Sequence, residues 1–298
     1  MRVDSIGHYH LLVVAAVCAV LMGCHPEPSR PAVSFAPSGD GKGYHDKMDL
    51  AKVEQTQPLS RAERNQLTPQ NLKTLTQEEI DQIYARLTAG PIPDGPFDGG
   101  VYFAQGTGLD TIAEQVGGLK GAVIELKAGA LQHLAETLWQ GKVFYRDQRV
   151  LRNRIENTAL LTPLLGGDLG DLKNIAKISV NGKDAWLLFP AKLYCGQSLL
   201  DSRRESIIID YAFTDEVEGY REMPDKLAGR NGFQVRDEIR MVRPGFYLGR
   251  AYLGRVFALN FTLYNEELAK RDGPAFDDNK AIAEDCWMGT QVPVATAK

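Results

Sequence analysis

The longest clean alternation in the chain runs from Phe233 to Val242. Phe233, Val235, Ile239 and Met241 fall on one side at period two, and Gln234, Arg236, Glu238 and Arg240 on the other. That is the pattern of a strand with one buried and one solvated face. Asp237 breaks it, since a carboxylate at an apolar position needs a cation or several donors. On this reading Glu238 and Arg240 are exposed, and Asp237 outweighs both in stability.

Similar short, β-branched or aromatic runs fill the chain from Lys142 to Tyr264. They are Lys142–Tyr145, Val150–Ile155, Ala176–Val180, Ala185–Phe189, Ala191–Tyr194, Ser206–Phe213, Phe233–Val242, Phe246–Tyr252 and Val256–Tyr264. Asn181-Gly182, Arg243-Pro-Gly245 and Leu253-Gly254 supply reversals between neighbours. With no helical pattern between them, the strands are antiparallel. Closing them into an up-and-down barrel removes the exposed edges. In strand rhythm, though not in any motif, the series is similar to lipocalin-like barrels.

Helical periodicity sits upstream. Ser60 with Glu63 and Thr76 with Glu79 have capping-box spacing, and Ile80, Ile83, Tyr84 and Leu87 form a stripe after the second box. From Thr111 to Trp139, Ile112, Val116, Leu119, Val123, Leu126, Ala130, Leu134 and Leu138 predict a long helix lying across the sheet. Pro91 to Gly100 reads as a turn-rich connector into the short strand-like run Val101–Phe103, and the chain loses period after Tyr264. Within that last stretch Lys280–Trp287 has the make-up of one or two helical turns. The expected class is α+β, predominantly antiparallel β, with a closed or nearly closed barrel, a long covering helix and short N-terminal helices.

The first 24 residues have a different character. Leu11 to Met22 is an unbroken apolar run ending in Leu21-Met-Gly-Cys24. It is too short to span a bilayer, which takes roughly 20 residues. This end resembles the lipobox of bacterial lipoproteins, which implies cleavage before Cys24 and a diacylglycerol on its sulfur. By the same resemblance, His25 rather than aspartate after the cysteine implies sorting to the outer membrane, facing the periplasm. Pro26 to about Pro58, rich in proline, glycine and serine, then reads as a tether that keeps the body off the bilayer. The expected organisation is 1–23 signal peptide, 24–58 disordered tether, 59–98 short helices and connector, 99–265 helix plus barrel, and 266–298 irregular tail.

The net charge of −4 over 298 residues, with no basic patch, gives no nucleic-acid partner. Histidines past His25 are limited to His45 and His133, and no CxxC or clustered metal spacing occurs, so no catalytic residue, metal or cofactor is assigned. Cys18 leaves with the signal peptide, so Cys195 and Cys286 are the remaining pair, either a disulfide or buried thiols. Polar residues on neighbouring strands make the candidate ligand-binding group: Asp210, Tyr211, Asp237, Tyr247 and Arg250.

Three functions fit these residues. The first is an envelope lipoprotein whose barrel binds a small apolar or amphipathic molecule, with the membrane as partner through the lipid. The second is a hydrolase using a carboxylate pair, Asp210 with Asp237 or Glu238. The third is a non-catalytic scaffold or envelope-assembly lipoprotein. The lipobox generates the first prediction: Cys24→Ser abolishes both fatty-acid labelling and membrane association, and a variant that still labels refutes the assignment.

Overall fold

A computed structural model of the chain describes residues 28–37, 48–104, 138–156 and 175–289. The lipobox, the Thr111–Trp139 stripe up to residue 137 and the 157–174 connection lie outside the described residues. Nine strands form one antiparallel sheet: β1 (Gly95–Tyr102), β2 (Trp139–Tyr145), β3 (Val150–Ile155), β4 (Lys177–Val180), β5 (Lys183–Gln197), β6 (Glu205–Asp210), β7 (Val235–Arg243), β8 (Phe246–Leu253) and β9 (Val256–Tyr264). Each pairs with its sequence neighbour except at β4, and β1 pairs with β9. Pairing of β3 with β5 closes an eight-stranded up-and-down barrel, leaving β4 outside on the first part of β5. The expected barrel is the observed one.

Among the differences from the expected strands, two shape the interior. β5 runs unbroken through Pro190, because the ladder to β3 shifts register there and a bulge needs no donor at that position. β1 begins at Gly95, inside the stretch read as a connector. Its Gly99 lets the Trp139 ring lie against the wall, where a Cβ would come within 2.5 Å of that ring. Opposite, Gly249 does the same for Phe261, whose ring a Cβ would meet at 2.2 Å. The two rings meet edge to face at 5.8 Å and floor one end of the interior.

The outside of the barrel is covered along β7 and β8 by the N-terminal helices α1 (Leu50–Thr56), α2 (Arg61–Gln66) and α3 (Gln77–Ala85). Both capping boxes are formed as the spacing predicts. The α3 stripe of Ile80, Ile83 and Tyr84, with Leu87, packs on Val242, Phe246 and Leu248 of the sheet's outer face. Each such fully buried side chain contributes roughly 1.5–3 kcal/mol.

The segment expected as a free tether is partly folded. Leu50–Thr56 is helical, capped by Asp49, and Val33 and Phe35 of residues 28–37 pack on the helical layer. The Gln82 side chain holds this strap by accepting from Ala36 N (2.9 Å) and donating to Ala36 O (3.0 Å). At the other terminus, Glu266–Asp277 is a helix capped by Asn265 rather than irregular chain. Between them the short helix Glu222–Asp225 lies in the β6–β7 loop, and these two are α4 (Glu222–Asp225) and α5 (Glu266–Asp277). Lys280–Trp287 is not helical. A disulfide joins Cys195 of β5 to Cys286, Cα–Cα 5.3 Å.

The helical cover also corrects the reading of β7. Glu238 and Arg240 are fully buried, not solvated, because they point into the layer between sheet and helices. Arg240 donates to Ser206 Oγ (2.9 Å) and to the carbonyls of Tyr84 (3.1 Å), Arg204 (3.2 Å) and Asp201 (3.3 Å), with the Asp201 carboxylate 3.6 Å away. Arg240→Ala strands these groups and is expected to cost about 3 kcal/mol or more, whereas the exposed Lys270→Ala is expected to leave the unfolding midpoint unchanged. Urea unfolding checks it; equal losses would mean that the outer face is solvated after all.

Candidate ligand cavity

The inward face of the barrel is apolar except at one end, where three strands and the residue just past a fourth each put a polar side chain at an apolar position. Lys142 of β2, Asn153 of β3, Tyr211 just past β6 and Asp237 of β7 are each no more than 5% exposed. The Lys142 ammonium donates to Tyr211 Oη (2.7 Å), Asn153 Oδ1 (2.9 Å) and Asp237 Oδ2 (3.0 Å), which uses all three of its protons. Asn153 Nδ2 donates to Phe189 O (2.9 Å) and Tyr211 Oη (3.0 Å), and Trp139 Nε1 donates to Asn153 Oδ1 (2.9 Å). The tyrosine hydroxyl lies 3.5 Å from Asp237 Oδ2. Rings of Trp139, Tyr211 and Phe261 surround the ammonium at 5.3–5.5 Å.

Charge and burial pull against each other here. Burial draws the Lys142 pKa down, but Tyr211 and Asp237 outweigh it and hold the group above the usual lysine value. Burial pushes Asp237 up, and the attraction of Lys142 offsets only part of that. Tyr211 is pushed up by burial as well, so it remains a neutral hydroxyl.

The quartet walls a cavity of about 90 Å³, whose apolar lining includes Trp139, Phe189, Phe233, Val235, Leu259 and Phe261. The β6–β7 loop contributes Leu227, Ala228 and Phe233. β6 leaves β5 at the Lys192–Asp210 pair, so beyond that point the loop stands where a longer strand would run. Asp225 fixes it by accepting from Phe189 N (2.7 Å) and Arg221 N (2.9 Å). Burial raises its carboxyl pKa despite those two bonds. A larger space of about 570 Å³ lies near the other end, between the connector after α3 and α5. It is half polar, its Arg271 and Lys280 are exposed, and it contains no buried polar cluster comparable with the quartet.

Of the five residues singled out from sequence, the structure brings together Tyr211 and Asp237. Asp210 faces outward, accepting from Tyr194 Oη and Ala212 N, each at 2.7 Å. Tyr247 lines the opposite space and donates to Pro91 O at 2.6 Å. Arg250 lies under the helices, ion-paired with Asp81 and donating to Tyr252 Oη at 2.9 Å. Asp81 and Tyr252 hold its guanidinium charged against burial. Lys142, Asn153 and Trp139 were missed. Their signal was the one that exposed Asp237: Lys142 alternates with Phe144, and Asn153 sits between Leu151 and Ile155. The triad of metal-ligating types outside the cavity, Cys195, Glu205 and Cys286, has its two sulfurs in the disulfide.

No family model matches the chain, and no curated protein matches it. Among solved structures, a protein from Thermomonospora curvata is similar over 65% of this chain and 89% of that one, with 17% identity and a TM-score of 0.33. The barrel assignment rests on the strand pairings themselves.

Removing the cation gives a pH signature. Without Lys142 the buried Asp237 rises further above its unfolded value near 3.9. A carboxyl raised in the folded state favours folding below the unfolded pKa, and that contribution is lost as pH rises through the folded value. Lys142→Met is therefore expected to lose about 3–5 kcal/mol relative to wild type at pH 8 and clearly less at pH 4. Urea titrations at the two pH values measure this, and a deficit independent of pH would show that the two groups are not paired.

Proposed function

We propose that this protein is a lipid-anchored envelope protein whose barrel binds a small, largely apolar molecule in the quartet-walled cavity. The observation that carries the binding reading is an apolar space inside the barrel with one convergent polar group on its wall, the composition of small-molecule sites. Its volume, about 90 Å³, is below the ~150 Å³ of an engineered cavity that takes benzene, so it suits a small molecule or the end of a longer one rather than an acyl chain. A carboxylate-pair hydrolase finds less support. Asp237 faces the interior while Asp210 and Glu238 face the outside, so no two of these acids address one cavity.

The anchor reading rests on Leu21-Met-Gly-Cys24. Because the strap is buried from Pro31 and packs through Val33 and Phe35 on the helical layer, a lipid on Cys24 would lie only seven residues from packed chain, at most about 25 Å when extended. Such an anchor would hold the barrel close to a bilayer, which the resemblance, through His25 after the cysteine, implies is the periplasmic face of the outer membrane.

Native mass spectrometry of protein taken from its own envelope tests the binding reading. The wild type is expected to carry a small adduct that Ala251→Leu, which fills the cavity from the position paired with Asp237, has lost. Identical, empty spectra from both would remove the reading.

A further inference from the structure

We infer that the cavity selects an uncharged ligand carrying a hydrogen-bond donor, an alcohol-type O–H or an amide-type N–H, which binds to Oδ1 of Asp237. The inference rests on the ligand-binding reading above and deepens it.

It follows from counting the polar atoms on the wall. Lys142 has spent its three protons on Tyr211, Asn153 and Asp237. Asn153 has spent both amide protons on Phe189 O and Tyr211, and the indole proton of Trp139 goes to Asn153. Tyr211 accepts two of these bonds, and its own proton has Asp237 Oδ2 within reach. Every donor facing the cavity is therefore used. Asp237 takes its bonds through Oδ2, and its Oδ1 receives none among the described residues although the side chain is 6% exposed and lines the cavity. Among the described residues the one polar vacancy on this wall is an acceptor, and an acceptor that faces an apolar space without a donor is costly.

Charge narrows the class further. Lys142 and Asp237 already neutralise each other at 3.0 Å. A carboxylate or phosphate entering here would find no free donor. An ammonium would place a second cation beside Lys142, within the same ring of aromatics. An uncharged donor meets neither cost, and Val235, Ala251 and Leu259 accommodate a short apolar body.

The test uses four probes of nearly one size on the chain from residue 24 with Cys24→Ser, which keeps every described residue. They are 1-butanol, its isomer methyl propyl ether, butyrate and butylammonium, titrated while the Trp139 indole N–H is followed by NMR. The expected result is saturable binding of 1-butanol, about tenfold or more tighter than the ether, with neither ion binding. If no probe shifts the indole, the cavity is not a ligand site and the underlying reading falls with the inference. Binding in which the ether equals the alcohol, or in which an ion binds best, leaves the ligand site standing and overturns the donor assignment alone.

Discussion

An ammonium and a carboxylate enclosed in the same apolar barrel end constrain everything around them. Lys142 and Asp237 come from strands far apart in sequence, and they meet because barrel closure places β2 and β7 across one interior. Neither charge is tolerable there alone. Asn153 and Tyr211 complete the lysine's coordination, the three rings screen it, and the β6–β7 loop, pinned by Asp225, covers the end of the barrel where they sit. The pair leaves one carboxylate oxygen over to face the cavity.

The same chain solves a second burial problem differently. On the outer face of β7 and β8, arginines are buried beneath the N-terminal helices and satisfied largely by backbone carbonyls, as for Arg240, or by a carboxylate on α3, as for Arg250 with Asp81. These contacts bind helices to barrel, and neither Arg240 nor Arg250 lines the interior cavity. The interior quartet borders a cavity, which separates a site from a structural joint although both are clusters of buried charge.

Much of this was legible in the residues. Strand rhythm and the turn residues gave the barrel, and capping boxes at Ser60 and Thr76 gave the starts of two helices. Asp237 betrayed the interior site because the strand around it is long enough for one exception to stand out. Lys142 and Asn153 carry the same exception in strands of seven and six residues, where alternation is too brief to make a single polar residue conspicuous. Glu238 and Arg240 misled because charge at period two normally means solvent. The contrary hint was Phe246 and Leu248, apolar residues on the same outer face that required a cover. The site's partners could not be read at all from local pattern, since they depend on which strands closure sets opposite one another.

The central claim is that Lys142 and Asp237 balance each other within a barrel held together by strand closure and apolar packing, and that the pair serves the cavity rather than the fold. The most direct measurement is urea unfolding of the double variant Lys142→Met with Asp237→Leu, compared with each single variant. A buried ion pair replaced by apolar groups of similar volume is often neutral or stabilising, whereas loss of one partner is strongly destabilising. The account predicts a double variant within about 1 kcal/mol of the wild type, or above it, and both single variants well below. A double variant as unstable as the single ones would contradict it, because the pair would then be holding the barrel together.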